Sequence, residues 1–143
     1  MTSTFIPFVD DHQIHAIGCG LVRRTLPKSQ WTHAAHFAAA LWLMELNASD
    51  AMPSVIRAYN VATGVANTDI SGYHETITKA SLRAARAFRA ERPHLALFEV
   101  CNALMTSRFG RSDWVLDHWS RERLFSKEAR GSWLEPDLLP LPF

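Results

Sequence analysis

The stretch Trp31-Thr-His-Ala-Ala-His-Phe-Ala-Ala-Ala-Leu-Trp-Leu-Met constrains this chain more than any other. From Ala34 to Met44 it is apolar on every side, interrupted only by His36. A helix that is hydrophobic all round has no face to give to water and must lie in the centre of a core. The run is too short to cross a bilayer, which takes roughly 20 apolar residues. It therefore predicts the central helix of a soluble fold, with other helices packed around it.

The rest of the sequence supports helices. Period-2 alternation of β-branched and aromatic residues is nearly absent, and Ala, Leu and Arg dominate long segments. Asp10 or Asp11 can cap a first helix running to about Arg24, with Ile14, Ile17 and Leu21 on one face. Gly18 and Gly20 weaken that helix or permit close helix contact. Ser29 is the expected cap of the central helix, to about Leu46. Asp50 is the expected cap of a third helix, with Pro53 in its first turn and Gly64 at its end. A polar loop, Val65 to Gly72, leads to a fourth helix from about His74 to Glu91. Pro93 opens a fifth, ending near Ser107; Ser112 or Asp113 a sixth, through about Phe125; and Ser126 a short seventh. The prolines of Glu135-Pro-Asp-Leu-Leu-Pro-Leu-Pro-Phe forbid helix, so the tail is extended. The expected fold is all-α: a single helical domain over residues 1–143, a bundle of about five to seven helices with an extended Pro-rich C-terminal tail.

With 143 residues, the chain has the length of one domain. Fifteen basic against fourteen acidic residues give a net charge of +1, so no strong field for nucleic acid or anionic membrane is expected. Lys79, Arg83, Arg86 and Arg89 form a basic stripe that reads as a solvated helix face. No secretory signal is read at the N-terminus. Cys19 and Cys101 show no CxxC spacing and read as free thiols, which suits a cytoplasmic location. His118 reads as a surface or core-edge histidine, while His12 and His15 fall on an exposed first helix and carry no expectation of chemistry.

Two clusters can carry chemistry. His33 and His36 are almost the only polar residues of the central helix and sit roughly 60° apart on neighbouring turns. His74 falls in the first turn of the fourth helix, on the face of Ile77, Thr78 and Ser81, just after Gly72. A helix N-terminus and burial both favour the neutral imidazole, the form needed by a metal ligand or a general base. Glu75 is either a first-turn carboxylate paired with Lys79 or a partner of these histidines. Tyr73 adjoins them. Trp31, Tyr59, Asn60 and Asn67 are candidates for a substrate-contacting rim.

The segments at 31–37, Ile56-Arg-Ala-Tyr-Asn and Gly72-Tyr-His-Glu-Thr-Ile-Thr, with Leu26-Pro-Lys, Leu124-Phe-Ser and the tail, resemble a family of short bacterial all-helical proteins. Its marks are W-T-H-x-x-H and G-Y-H-E-T-x-T. The resemblance covers about residues 20 to 142. It implies that His33, His36, Tyr73, His74 and Glu75 belong to one shared signature.

The leading functional expectation is a small bacterial enzyme acting on a small organic molecule at an inward His/Glu site. In one form His33, His36 and His74 bind one transition-metal ion (Zn, Fe or Cu), with Glu75 as fourth ligand or base. In the other the same residues with Tyr73 perform general acid/base catalysis of lyase, isomerase or hydrolase type. The alternative is a non-catalytic small-molecule-binding or accessory protein. The expected partner is a small molecule, with neither nucleic acid nor membrane, and a homodimer is compatible with the sequence.

Overall fold

The computed structural model describes residues 5–143. Among the described residues there are seven α-helices and no strand: α1 Asp11–Val22, α2 His33–Glu45, α3 Met52–Ala62, α4 Glu75–Glu91, α5 Leu97–Thr106, α6 Arg121–Leu124 and α7 Lys127–Gly131. The all-helical expectation holds. None of these helices is long and apolar enough to cross a membrane.

α2 is the axis of the bundle. Ala34, Ala35, Phe37, Ala38, Ala39, Ala40, Leu41 and Leu43 are all buried, and the helix packs against α1, α4 and α5. The run of alanines lets those helices approach closely, while Phe37 and Leu41 fill the space between them. Burial of each such large apolar side chain contributes about 1.5–3 kcal/mol. Gly18 of α1 lies against the Trp42 ring, and a Cβ there would run into the indole. The glycine thus permits close helix contact, as expected.

Three helix starts differ from expectation. α2 is capped by Thr32, whose side chain accepts from the Ala35 N–H at 3.2 Å, because Lys28–Gln30 forms a separate 3-10 turn. α3 has no side-chain cap: the 3-10 turn Ser49–Ala51 feeds directly into Met52. α5 begins at Leu97 rather than Pro93, where the Glu99 carboxylate accepts from the Ala96 N–H at 3.0 Å.

The expected sixth helix is broken in two. A 3-10 turn, Trp114–Asp117, is followed by α6, which Ser120 caps by accepting from the Arg123 N–H. Trp114, Val115, His118 and Trp119 are all buried, and a straight helix would have carried part of that set to the surface. His118 is therefore core, not surface. Its Nδ1–H donates to the Leu139 carbonyl at 2.8 Å, and its Nε2 accepts from Arg108 at 3.1 Å.

The tail is extended and tied down. The Trp119 indole donates to the Leu134 carbonyl at 3.0 Å. Ser120 donates through its backbone and its hydroxyl to the two Asp137 carboxylate oxygens, at 2.8 and 2.7 Å. The basic stripe is partly engaged: Arg83 covers the Trp133 ring at 4.2 Å, and Arg89 pairs with Glu45 at 2.8 Å.

Candidate functional site

A cleft of about 310 Å³ opens between the start of α2, α3, the 65–73 loop and α4. That is the lower end of the roughly 300–1,000 Å³ typical of small-molecule sites. Trp31 and His36 form one wall, and Met52, Ile56 and Asn60 of α3 another. Val65, Gly72 and Tyr73 come from the loop, with His74, Ile77, Thr78 and Ser81 opposite. No Asp, Glu, Lys or Arg is among these lining residues.

The loop is shaped by one amide and one glycine. Asn67 Oδ1 accepts from Asn60 Nδ2 and from the Tyr73 N–H, both at 3.0 Å, while Asn67 Nδ2 donates to the Arg57 carbonyl at 3.1 Å. Gly72 has φ +81°, and a Cβ there would run into the Ala66 carbonyl oxygen. Arg130 of α7 clamps the far side, donating to the Gly72 and Tyr73 carbonyls at 3.0 and 3.3 Å.

His36 is the histidine of the cleft that keeps one ring nitrogen unengaged. Its Nδ1–H donates to the Thr32 carbonyl at 2.8 Å, which leaves Nε2 as the bare nitrogen of the neutral ring. Nε2 has no hydrogen-bond partner among the described residues. The Trp31 ring stacks on the imidazole at 3.7 Å, with 27° between planes. Burial pushes the His36 pKa down to about 4, against the opposing pull of the Thr32 carbonyl and with a smaller lowering from His33.

His74 has a different role from the one expected. It is the N-cap of α4, not a first-turn residue. Nδ1 accepts from the Ile77 N–H at 3.2 Å, so the ring proton is on Nε2, which donates to the Leu124 carbonyl at 2.7 Å. Both nitrogens are engaged. Burial lowers its pKa, the Leu124 carbonyl opposes that, and Arg130 adds to it. His74 lines the cleft as a wall, with no lone pair to offer a proton or a metal.

His33 does not reach the cleft. It is the first residue of α2, and its Nε2–H donates to the Phe109 carbonyl at 2.7 Å, back past the helix start. Helical side chains lean toward the N-terminus, and at position one nothing of α2 lies beneath the ring. Burial lowers its pKa as well, opposed by the Phe109 carbonyl.

Glu75 and Tyr73 form a pair of their own. The Tyr73 hydroxyl donates to Glu75 Oε1 at 2.6 Å, and the Arg57 guanidinium lies over the phenol ring at 4.3 Å. Burial, then the Glu75 carboxylate, raises the Tyr73 pKa well above the ordinary tyrosine range. The Glu75–Lys79 ion pair is not among the ion pairs of the described residues.

The metal expectation is corrected by these positions. Among the described residues no group of three or more His, Cys, Asp or Glu is placed to hold a metal ion. His33, His36 and His74 do not converge: the His33 ring is turned onto the Phe109 carbonyl, outside the cleft, and both nitrogens of His74 are held by backbone partners. Of the expected rim, Trp31 and Asn60 line the cleft. Asn67 instead organises the loop, and Tyr59 is buried with its hydroxyl on the Leu26 carbonyl at 2.9 Å. Met52, Ile56 and Val65 complete the apolar lining without a distinguishing mark in the sequence. Ser81 was legible only as a residue on the inward face of α4, while Thr78 also closes the G-Y-H-E-T-x-T segment.

No family model, curated protein or solved structure matches this chain.

Proposed function

We propose that the cleft beside His36 binds a small, uncharged and largely apolar organic molecule that donates one hydrogen bond to His36 Nε2. The observation that carries this is the unpartnered Nε2 in a cleft walled by Trp31, Met52, Ile56 and Ile77 and free of charged lining residues. An apolar enclosure with one or two placed polar groups suits orientation of a compact ligand. Asn60, Thr78 and Ser81 supply further polar atoms on the same walls. A cationic or anionic ligand would lose its hydration and find no countercharge.

Binding is favoured over acid/base catalysis by His36 itself. A base with a pKa of about 4 takes up a proton poorly at neutral pH. The Tyr73–Glu75 pair bordering the cleft supports a second reading, a lyase, isomerase or hydrolase working through His36 and the Tyr73 hydroxyl.

A ligand-observed NMR screen of small neutral aromatics and alcohols tests both. The expected result is binding by fragments that carry one N–H or O–H donor, lost in His36→Phe while that variant keeps its helix content. A fragment consumed by the wild type and spared by His36→Phe would favour the enzyme. Fragments that bind wild type and His36→Phe equally would remove His36 from the site.

A further inference from the structure

Asn60 brings a second acceptor to the cleft beside His36, and a chain of one-way bonds fixes its orientation. The Arg57 carbonyl can only accept, so the Asn67 amide turns its Nδ2 there, at 3.1 Å. Asn67 Oδ1 then receives the Tyr73 N–H and Asn60 Nδ2, both at 3.0 Å. With Nδ2 spent on Asn67, Asn60 has its Oδ1 on the other arm of the amide. Asn60 is only 9% exposed and lines the cleft. Its Oδ1 has no partner among the described residues, where the one side-chain polar atom both enclosed and unpartnered is Arg130 Nε. Asn60 Oδ1 is therefore accessible, and the space it opens on is the cleft.

His36 Nε2 and Asn60 Oδ1 enter from two walls as acceptors that no residue satisfies. Trp31 links the two walls. Its ring stacks on His36 at 3.7 Å and meets Tyr59, the chain neighbour of Asn60, edge-on at 5.6 Å. The α4 wall brings the Ser81 hydroxyl, which has no partner among the described residues and is able to donate. Two acceptors and a hydroxyl call for a ligand head with two donors and one acceptor. An alkylamine has the donors, but it is charged at neutral pH, and no Asp or Glu lines the cleft to balance it. A primary carboxamide is uncharged and carries two N–H groups beside one carbonyl.

We infer that the ligand of this cleft bears a primary carboxamide on a compact apolar body, an inference that rests on the reading of the cleft as a site for a small neutral molecule held by His36. One N–H of the ligand donates to His36 Nε2 and the other to Asn60 Oδ1, while the Ser81 hydroxyl donates to the ligand carbonyl. The body lies against Trp31, Met52, Ile56 and Ile77. Asn60 is then the residue that selects an –NH2 head over a single donor, because a one-donor ligand covers Oδ1 and leaves it unpaired.

A ladder of benzamides titrated into the full chain by ligand-observed NMR tests this. Benzamide has two N–H donors, N-methylbenzamide one and N,N-dimethylbenzamide none. The expected order follows that count, with benzamide about tenfold tighter than N-methylbenzamide, the worth of one hydrogen bond. Para-toluamide, which carries the extra methyl on the ring and keeps both donors, should bind like benzamide. The Asn60 side-chain Cγ resonance should move with benzamide and hold with N-methylbenzamide. In Asn60→Ala, checked for helix content by circular dichroism, the two should bind alike; should that variant not fold, the wild-type ladder decides alone. Equal affinity of benzamide and N-methylbenzamide for the wild type, with both lost in His36→Phe, would overturn the carboxamide inference and leave the His36 reading standing. Affinities for the whole ladder that do not change in His36→Phe would overturn both.

Discussion

His74 and Leu124 are joined at 2.7 Å by a bond from the imidazole Nε2 to the carbonyl, across fifty residues of sequence. The same ring caps α4 through Nδ1. One side chain thus starts a central helix and fastens α6 to it. Substitution by Ala removes the cap, typically worth about 1 kcal/mol, and orphans a buried carbonyl, which costs about 1–3 kcal/mol. His74→Ala should therefore lose about 2–4 kcal/mol in urea unfolding, and His74→Asn should regain the capping share of roughly 1 kcal/mol. Ligand binding by the folded fraction should persist in both. Its complete loss in folded His74→Asn would give His74 a direct role in the cleft.

Stability should fall with acid because the folded pKa values of His33, His36 and His74 all lie below the ordinary histidine value. A group with a depressed folded pKa binds more protons when unfolded. The stability it contributes is full above the unfolded value near 6.5 and is lost as pH falls toward the folded one. For His36 that window runs from about 6.5 down to about 4. Unfolding titrations should show a loss of roughly 2–4 kcal/mol between pH 7 and pH 4. His36→Phe should flatten that slope, and an unchanged slope would mean His36 titrates normally.

Much of the fold was legible in the sequence for one reason: the all-round apolarity of residues 34–44 forces a central helix whatever surrounds it. Asp10 and Ser126 also announced their helices correctly. Caps that depend on a neighbouring turn were not legible. Ser29 has the right chemistry for a cap, but the 3-10 turn at Lys28–Gln30 hands the role to Thr32. The site was legible as a set of residue types and not as a set of directions. The spacing of His33 and His36 suggested a shared face, yet a residue at the first position of a helix points beyond the helix start. What lies there, the Phe109 carbonyl, is seventy-six residues away. Likewise a histidine just before a helix can be base, ligand or cap, and only the Leu124 carbonyl selects the cap.

Gly72 sits in the left-handed region at φ +81°, with no room for a Cβ beside Ala66 and Asn67. Gly72→Ala should cost about 2 kcal/mol or more, combining backbone strain with the displaced loop. Because Gly72 and Tyr73 line the cleft, ligand affinity should drop further than stability alone explains. Gly64, also at positive φ but with open space within 4 Å of where a Cβ would stand, is the control. Gly64→Ala should cost only the backbone share, about 1 kcal/mol. Equal losses in the two variants would contradict the close approach at Gly72.

The C-terminal strap should be integral to the core. Removing residues 134–143 leaves His118 Nδ1 and the Trp119 indole N–H, both on fully buried side chains, without acceptors. Two orphaned buried donors cost about 1–3 kcal/mol each. The truncated chain should melt far below the full one, as read by circular dichroism. An unchanged melting temperature would show that the tail is an accessory.

The most direct measurement is the side-chain nitrogen spectrum of the histidines at pH 7 and through an acid titration. It reads which ring nitrogen carries the proton. The predicted result is opposite tautomers: His36 protonated on Nδ1 with a bare Nε2, and His74 protonated on Nε2, with His36 titrating near pH 4. On adding a bound fragment, the His36 Nε2 resonance should move and the His74 resonances should hold. A His36 protonated on Nε2, or titrating near 6.5, would contradict the account, because the cleft would then lack the free acceptor around which its ligand is oriented.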